Sequence, residues 1–193
     1  MTSTPSAVAP QSPALVQMKR AVVVTLGALV VALAAQFAVP LPGTPVPMTL
    51  QPLAVLIVGG LLGPGAGALS LLVYLELGAL GLPVFTPGGV PGLARLFGPT
   101  GGYLLAYPAA AWLVGWVVRS PSAVPSFRRS ALAALAGIVT IHVGGAAQLI
   151  VLTGSAGSAL DMGVVPFVSG DLLKAVVAAL VIHRLLPSTR ALA

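Results

Sequence analysis

Long apolar segments, almost free of charge, constrain this chain more than any other feature. Of its 193 residues, 58% are hydrophobic and only 6% are charged, whereas soluble domains are about 25% charged. The segments are continuous and rich in Leu, Val and Ala, which favours membrane-spanning helices over the alternating pattern of a membrane β-barrel. The sequence therefore predicts an all-α integral membrane protein with one compact domain.

Six segments are candidates for membrane spans: residues 21–39, 52–62, 65–82, 98–118, 131–153 and 164–186. A helix needs about 20 residues to cross the hydrocarbon core, so the second segment is too short to cross alone. The proline-rich residues 40–51 before it are predicted to dip into the bundle as a re-entrant or irregular first extracellular loop. Irregular backbone at that depth must be buried in protein or line a cavity.

These segments predict a six-helix membrane domain over residues 19–187, preceded by a disordered tail over residues 1–18 and followed by a short tail over residues 188–193. Most basic residues fall on one side of this arrangement: Lys19, Arg20, Arg119, Arg128, Arg129, Arg184 and Arg190. Cytoplasmic segments collect Lys and Arg, so both termini are predicted to be cytoplasmic. The same placement explains the net charge of +6 without a nucleic-acid-binding face.

Arg95 and Lys174 are the basic residues that this placement leaves in or near the membrane on the opposite side. With Glu76 and Asp171 they fall in the outer half of the predicted bundle, while Asp161 lies in the last external loop. A charge kept in an apolar environment needs a partner, a watery cavity or a ligand. The sequence therefore predicts a pocket, open to the outside, for something small and polar.

Asp171 and Lys174 are spaced i, i+3 on one helix face, so they form either a self-neutralising pair or a donor and an acceptor for a ligand. Arg95 precedes a predicted helix start at Pro99. There it either attracts an anion or reaches lipid headgroups. Glu76 either lines the pocket, pairs with one of these cations, or is protonated because of burial.

Thr49 and Gln51 place a hydroxyl and an amide on the stiff first loop, where they suit hydrogen bonds to a neutral heterocycle. Tyr103, with Tyr107, is either a pocket residue or part of an interfacial belt. Ala28 and Ala32 form a small-xxx-small pattern, which fits a partner interface and packing within the bundle equally well.

Several activities are excluded or left as alternatives. The sequence has no Cys, no P-loop and no metal-binding signature, so it predicts neither ATP hydrolysis by this chain nor a metal or cofactor. His142 and His183 are too far apart to indicate a metal site. Two alternatives remain: a self-sufficient facilitator or ion-coupled carrier that uses Glu76, and an intramembrane hydrolase that uses Ser155 or Ser158 with His142.

Short motifs in order along the chain resemble the BioY family, the biotin-specific S components of energy-coupling factor transporters. They are VPMTLQP at residues 46–52, LLGP at 61–64, GALS at 67–70, LGALGLPVF at 77–85, FGPTGGYL at 97–104, PF at 166–167 and GDLLK at 170–174. Each motif alone is weak, but their combination is specific.

The resemblance implies a six-helix protein of the bacterial inner membrane that is not an enzyme and captures biotin from outside. Two cytoplasmic ATPases and a transmembrane coupling protein would power uptake. The first extracellular loop would cover the ligand, and Ala28 and Ala32 would contact the coupling protein. Arg95, Asp171 and Lys174 would contact biotin, and the predicted site is completed by Thr49, Gln51, Glu76 and Tyr103.

Overall fold

Helices dominate the structure, a computed structural model that describes residues 12–119 and 126–189, without the side chains of residues 187–189. The helices are α1 (Pro13–Ala35), α2 (Gln51–Ala79), α3 (Gly101–Arg119), α4 (Phe127–Thr153), α5 (Ala156–Gly163) and α6 (Val168–Thr189), with 3-10 turns at Gly92–Phe97 and Val165–Phe167. Within these ranges, five helical segments are long and apolar enough to cross a membrane. The predicted all-α membrane class is confirmed.

The long helix α2 is broken at Gly63 into two antiparallel arms, residues 51–62 and 64–79. Gly63 has a φ of 85° and a ψ of 177°, a conformation that glycine adopts without steric cost, and Pro64 follows it. Across the turn, a Cβ on Gly67 would lie 2.9 Å from the Cα of Gly59, whereas eight residues of straight helix would span about 12 Å. The two arms therefore correspond to the predicted segments 52–62 and 65–82.

The ends of the predicted membrane domain differ from the observed ones. Helix α1 begins at Pro13, where the Ser12 Oγ accepts a hydrogen bond from the Leu15 N–H at 3.4 Å. The predicted disordered tail is therefore wrong from residue 13 onward, because a capping serine followed by proline starts a helix there. Residues 1–11 of that tail lie outside the described part. At the other end α6 continues to Thr189, and residues 190–193 are outside the described range.

The first loop is more regular than the sequence indicates. Ala38–Val39 (β1) pairs with Met48–Thr49 (β2) in a short antiparallel hairpin, with Ala38 opposite Thr49. Helix α1 ends at Ala35 with Gln36 as its C-cap, before the predicted limit at residue 39. Val46 and Thr49 are buried, so the loop dips into the bundle as predicted, but part of its backbone is a strand pair.

Residues 154–163, predicted as an external loop, contain the short helix α5. Gly154 ends α4 with a left-handed φ of 68°, and Ser155 caps α5 by accepting a hydrogen bond from the Ser158 N–H at 3.3 Å. Ala159 is buried against the bundle. A capping serine beside a left-handed glycine thus builds a helix in a segment too short to show helical periodicity.

Small residues bring the helices together. Ala28 and Ala32 are 1% and 8% exposed in the core, and next to them a Cβ on Gly27 would lie 2.5 Å from the Ser70 Oγ on α2. Of the two alternatives for these alanines, packing within the bundle is the one observed. Neither side chain is exposed at the surface of this chain. Ala28 and Ala32 therefore do not form the exposed face that the predicted partner interface would use.

Basic side chains gather at the end of the bundle that carries the Gly63 turn. Arg119 donates a hydrogen bond to the Leu61 carbonyl beside that turn, and the Arg129 Nε donates to the Val117 carbonyl at 2.5 Å. Guanidinium groups in these positions satisfy carbonyls that helix ends leave free. The concentration of positive charge agrees with a cytoplasmic location for this end, which stays a prediction.

Candidate functional site

A small cavity lies at the end of the bundle opposite the Gly63 turn, between the first loop, α2, α3, α4 and α6. Its free volume is about 40 Å³, enough for only a few water molecules. The polar lining comes from Thr49, Gln51, Thr86, Thr100, Tyr103, Tyr107, His142, Asp171 and Lys174, and the apolar lining from Val46, Pro47, Pro52, Leu104, Ile141 and Phe167. The cavity therefore combines an apolar wall with a concentrated set of hydrogen-bonding groups.

Three ionisable residues form one hydrogen-bonded group in this cavity. The Lys174 Nζ donates to the Asp171 Oδ1 at 2.7 Å, and the His142 Nε2 lies 2.8 Å from the Asp171 Oδ2. Asp171 and Lys174 are 4% and 8% exposed, so the predicted pair exists and it also faces the cavity. Sequence reasoning considered His142 only as a metal ligand or a hydrolase base and did not place it in this pocket, although an ionisable residue in the middle of an apolar helix is itself a signal of function.

Thr49 and Gln51 both reach the cavity, as predicted. The Thr49 Oγ1 donates to the Gln51 Oε1 and accepts from the Gln51 N–H, each at 3.2 Å. The Gln51 Nε2 donates to the Tyr74 hydroxyl at 2.6 Å. This chain of hydrogen bonds ties the end of the first loop to both arms of α2 and fixes the polar atoms in place.

Tyr103 and Tyr107 are one turn apart on α3 and both line the cavity. The Tyr103 hydroxyl donates to the Gly163 carbonyl at 2.6 Å, which ties α3 to the end of α5. The Tyr107 hydroxyl has no hydrogen-bond partner among the described residues. The interfacial-belt alternative is wrong, because both side chains are buried. Tyr107 therefore offers to the cavity a hydroxyl that no group in the described part of the chain binds.

Arg95 lies behind the cavity wall and does not line it. Its Nη2 donates to the carbonyl of Thr86, a lining residue, at 3.0 Å, and its Nε is buried without a hydrogen-bond partner. Burial lowers the pKa of the guanidinium, and the nearby Tyr74 hydroxyl opposes this shift. Arginine nevertheless stays charged at neutral pH. Because Arg95 is 8% exposed, the predicted contact with lipid headgroups is wrong.

Among the described residues, no carboxylate forms an ion pair with Arg95. The turn that carries it is held to α4, where the Gln148 Nε2 donates to the carbonyls of Leu96 and Gly98, each at 3.2 Å. A buried cation without a carboxylate is costly unless an anion joins it. The structure therefore holds an uncompensated positive charge next to the cavity.

Glu76 does not belong to the site. It lies on the exposed face of α2, it is absent from the cavity lining, and it pairs with neither Arg95 nor Lys174. Tyr74 and Leu75 occupy the buried face of the same turn, so the helical period places Glu76 outward. The prediction that it lines the pocket is wrong.

The hydrolase alternative has no support in the geometry. The Ser155 Oγ is the cap of α5, while the His142 Nε2 is bound to Asp171. A nucleophile must lie within hydrogen-bond reach of its base, and within the described part of the chain no hydrogen bond joins Ser155 or Ser158 to His142. Among the described residues, no group of three or more His, Cys, Asp or Glu side chains could hold a metal ion.

Comparisons with known proteins agree on one family. The model of the BioY family matches residues 7–191. The chain is 39% identical over 145 residues to the probable biotin transporter BioY of Pyrococcus horikoshii, covering 75% of this chain and 83% of that protein. It is 38% identical to the biotin transporter BioY of Thermotoga maritima, with the same coverage of 75% and 83%.

A solved structure extends this likeness to the fold. The crystal structure of an S component for biotin from an ECF-type ABC transporter superposes with a TM-score of 0.79 at 27% identity, covering 91% of this chain and 94% of that one. The family match spans nearly the whole chain, and the relatives are transporters rather than enzymes. The chain is therefore a multi-pass membrane protein that belongs to the BioY family.

Proposed function

We propose that this chain is the biotin-binding membrane subunit of an uptake system and that it holds biotin in the cavity between the first loop, α3, α4 and α6. One observation carries the proposal: the buried group formed by Asp171, Lys174 and His142 faces a cavity whose remaining wall is largely apolar. Ionisable residues kept at such depth mark a substrate site. The similar proteins named as biotin transporters support biotin as the substrate.

The ring end of biotin suits this ionisable group. The ureido ring presents two N–H donors and one carbonyl acceptor. A carboxylate has about four lone-pair sites and an ammonium has three N–H donors. The two observed hydrogen bonds of Asp171 and the one of Lys174 leave acceptors and donors for such a ring. The Tyr107 hydroxyl is a further donor, and Leu104 and Phe167 give the thioether ring an apolar wall.

The carboxylate end of biotin is assigned to Arg95. Its guanidinium is buried directly behind Thr86, and its Nε has no partner in the described part of the chain. An anion reaching this side of the cavity would supply the missing negative charge. The contact needs a rearrangement around Thr86, because Thr86 lines the cavity and its carbonyl accepts a hydrogen bond from Arg95.

Capture requires the cavity to enlarge. Its free volume of about 40 Å³ is far below the roughly 300–1,000 Å³ of small-molecule sites. Among the wall segments, the first loop is held by a hairpin of two residues per strand, and such short pairs are marginally stable. We assign entry to a displacement of this loop, which carries Val46, Pro47 and Thr49.

Transport is assigned to a complex in which two ATPases and a transmembrane coupling protein supply the energy. The sequence has no P-loop of its own, and the similar solved structure is an S component of an ECF-type ABC transporter. The self-sufficient, ion-coupled carrier is predicted to use Glu76 as its titrating group, and Glu76 lies outside the site. Capture by this chain and movement by its partners is the more economical assignment.

Equilibrium binding of radiolabelled biotin to the detergent-purified protein tests the proposal. Saturable binding at one site per chain, competed by unlabelled biotin, is the expected result. Absence of saturable binding in folded protein would refute the assignment of biotin. Proteoliposomes that contain this chain alone should bind biotin without accumulating it; accumulation would instead support the self-sufficient carrier.

A further inference from the structure

His142 lines the cavity, and its imidazole ring also packs against two aromatic side chains. Its ring lies edge-on to Tyr103, with centroids 6.2 Å apart and an interplanar angle of 82°, and 6.3 Å from the ring of Phe167. Its Nε2 faces Asp171, and its Nδ1 is buried without a partner among the described residues. The aromatic neighbours fix the plane of the imidazole.

Asp171 receives its two hydrogen bonds from different directions. Lys174 binds Oδ1 from the same helix, one turn away, whereas His142 binds Oδ2 from α4. The lysine moves together with the aspartate. Within the described residues, His142 is therefore the hydrogen-bonding group that ties the Asp171 carboxylate to a second helix.

This arrangement determines where the free lone pairs of the carboxylate point. Without a donor at Oδ2, a buried carboxylate would be free to turn about its terminal bond and bring both oxygens toward the ammonium of Lys174. Attraction between opposite charges in a low-dielectric site favours that turn. The carboxylate would then offer less to a ligand in the cavity.

We propose that His142 is a positioning residue: it donates its Nε2–H to Asp171 and holds the carboxylate open toward the ureido N–H groups of the ligand. The inference rests on the proposed function and adds a residue on α4 to it. A donor is required at the Nε2 position, because a carboxylate only accepts.

Three substitutions separate this role from simple packing. His142→Gln keeps an amide donor near the Nε2 position, His142→Asn places its donor near the Nδ1 position, and His142→Leu has none. His183→Leu is the control, because His183 packs against Phe127 with centroids 6.5 Å apart, away from the cavity. Biotin dissociation constants are measured for all four variants, together with thermal unfolding of the ligand-free proteins.

We expect His142→Leu and His142→Asn to raise the biotin Kd by about 10- to 100-fold, by analogy with the loss of a residue that orients a metal ligand. His142→Gln should restore most of the affinity, and His183→Leu should bind as the wild type does. Unchanged biotin binding by His142→Leu would overturn the inference. It would also be overturned if the Gln and Asn variants lost biotin affinity equally and in proportion to a drop in melting temperature. If the wild type binds no biotin, the proposed function itself fails.

Discussion

Gln51 and Tyr74 are joined by a hydrogen bond of 2.6 Å although they are 23 positions apart in one helical segment. The bond is possible because α2 folds back at Gly63, which places the turn at one end of the bundle and this pair at the other. Gln51 also holds Thr49 at the end of the first loop. A turn at the basic end of the molecule thus shapes the cavity at the opposite end.

The Asp171 carboxylate is expected to be indispensable for tight binding. Asp171→Asn keeps the size of the side chain and one neutral acceptor for Lys174, but it removes the charge that strengthens hydrogen bonds to ligand N–H groups. We expect the biotin Kd to rise by about 100-fold or more, since hydrogen bonds to charged groups contribute about 1.5–3 kcal/mol each. The Asp171→Asn variant should elute as a folded, monodisperse protein. Asp161→Asn is the surface control. Normal binding after this change would contradict the assignment of the ring end.

Two tyrosines of the same region should respond differently to loss of the hydroxyl. Tyr74→Phe leaves the buried Gln51 amide without its partner, so we expect the free energy of unfolding to fall by about 1–2 kcal/mol. Tyr107→Phe removes a hydroxyl that no described residue binds, so stability should hardly change while the biotin Kd rises by about tenfold. Thermal unfolding and equilibrium binding on both variants distinguish the two cases. A stability loss confined to Tyr107→Phe would show that the hydroxyl of Tyr107, and not that of Tyr74, stabilises the fold.

Arg95 is expected to read the carboxylate of the ligand. Arg95→Met removes the charge and should weaken binding of biotin by about 10- to 100-fold. It should leave the affinity for biotin amide, which has no negative charge, nearly unchanged. Arg184→Met changes an exposed arginine and serves as the matched control. If Arg95→Met weakens both ligands equally, its role lies in holding the Thr86 segment rather than in charge recognition.

Close contact between α3 and α4 should depend on glycine at their crossing. A Cβ on Gly102 would collide with the backbone carbonyl of Gly144, so Gly102→Ala must push the helices apart and should lower the free energy of unfolding by about 1–3 kcal/mol. Gly157→Ala on α5 is the control, because its nearest neighbour would be the Ser155 Oγ at 3.9 Å. Melting temperatures of the ligand-free proteins in detergent report the difference. Equal melting temperatures would mean that the helices separate without cost.

Sequence reasoning singled out five residues that line the cavity, and it did so for a physical reason: Asp171, Lys174, Thr49, Gln51 and Tyr103. Polar groups are costly in an apolar environment, so those that occur there stand out without any knowledge of the fold. The same argument also applies to His142, an ionisable residue in an apolar helix, but it was not used to place His142 in the pocket. It was misleading for Glu76, which it placed in the pocket although the side chain points outward. Depth along a helix can be estimated from the sequence, but the direction in which a side chain points depends on its neighbours.

The sequence by itself determined that this chain is a helical membrane protein, which side of it collects basic residues, and which family it resembles. These properties depend on composition, segment length and short motifs, all of which are local along the chain. Only the tertiary structure decided that α2 turns back at Gly63, that Arg95 lies behind Thr86, and that Ala28 and Ala32 pack inside the bundle. Those facts depend on contacts between residues far apart in sequence, and a linear pattern of apolar residues does not specify which helix faces which.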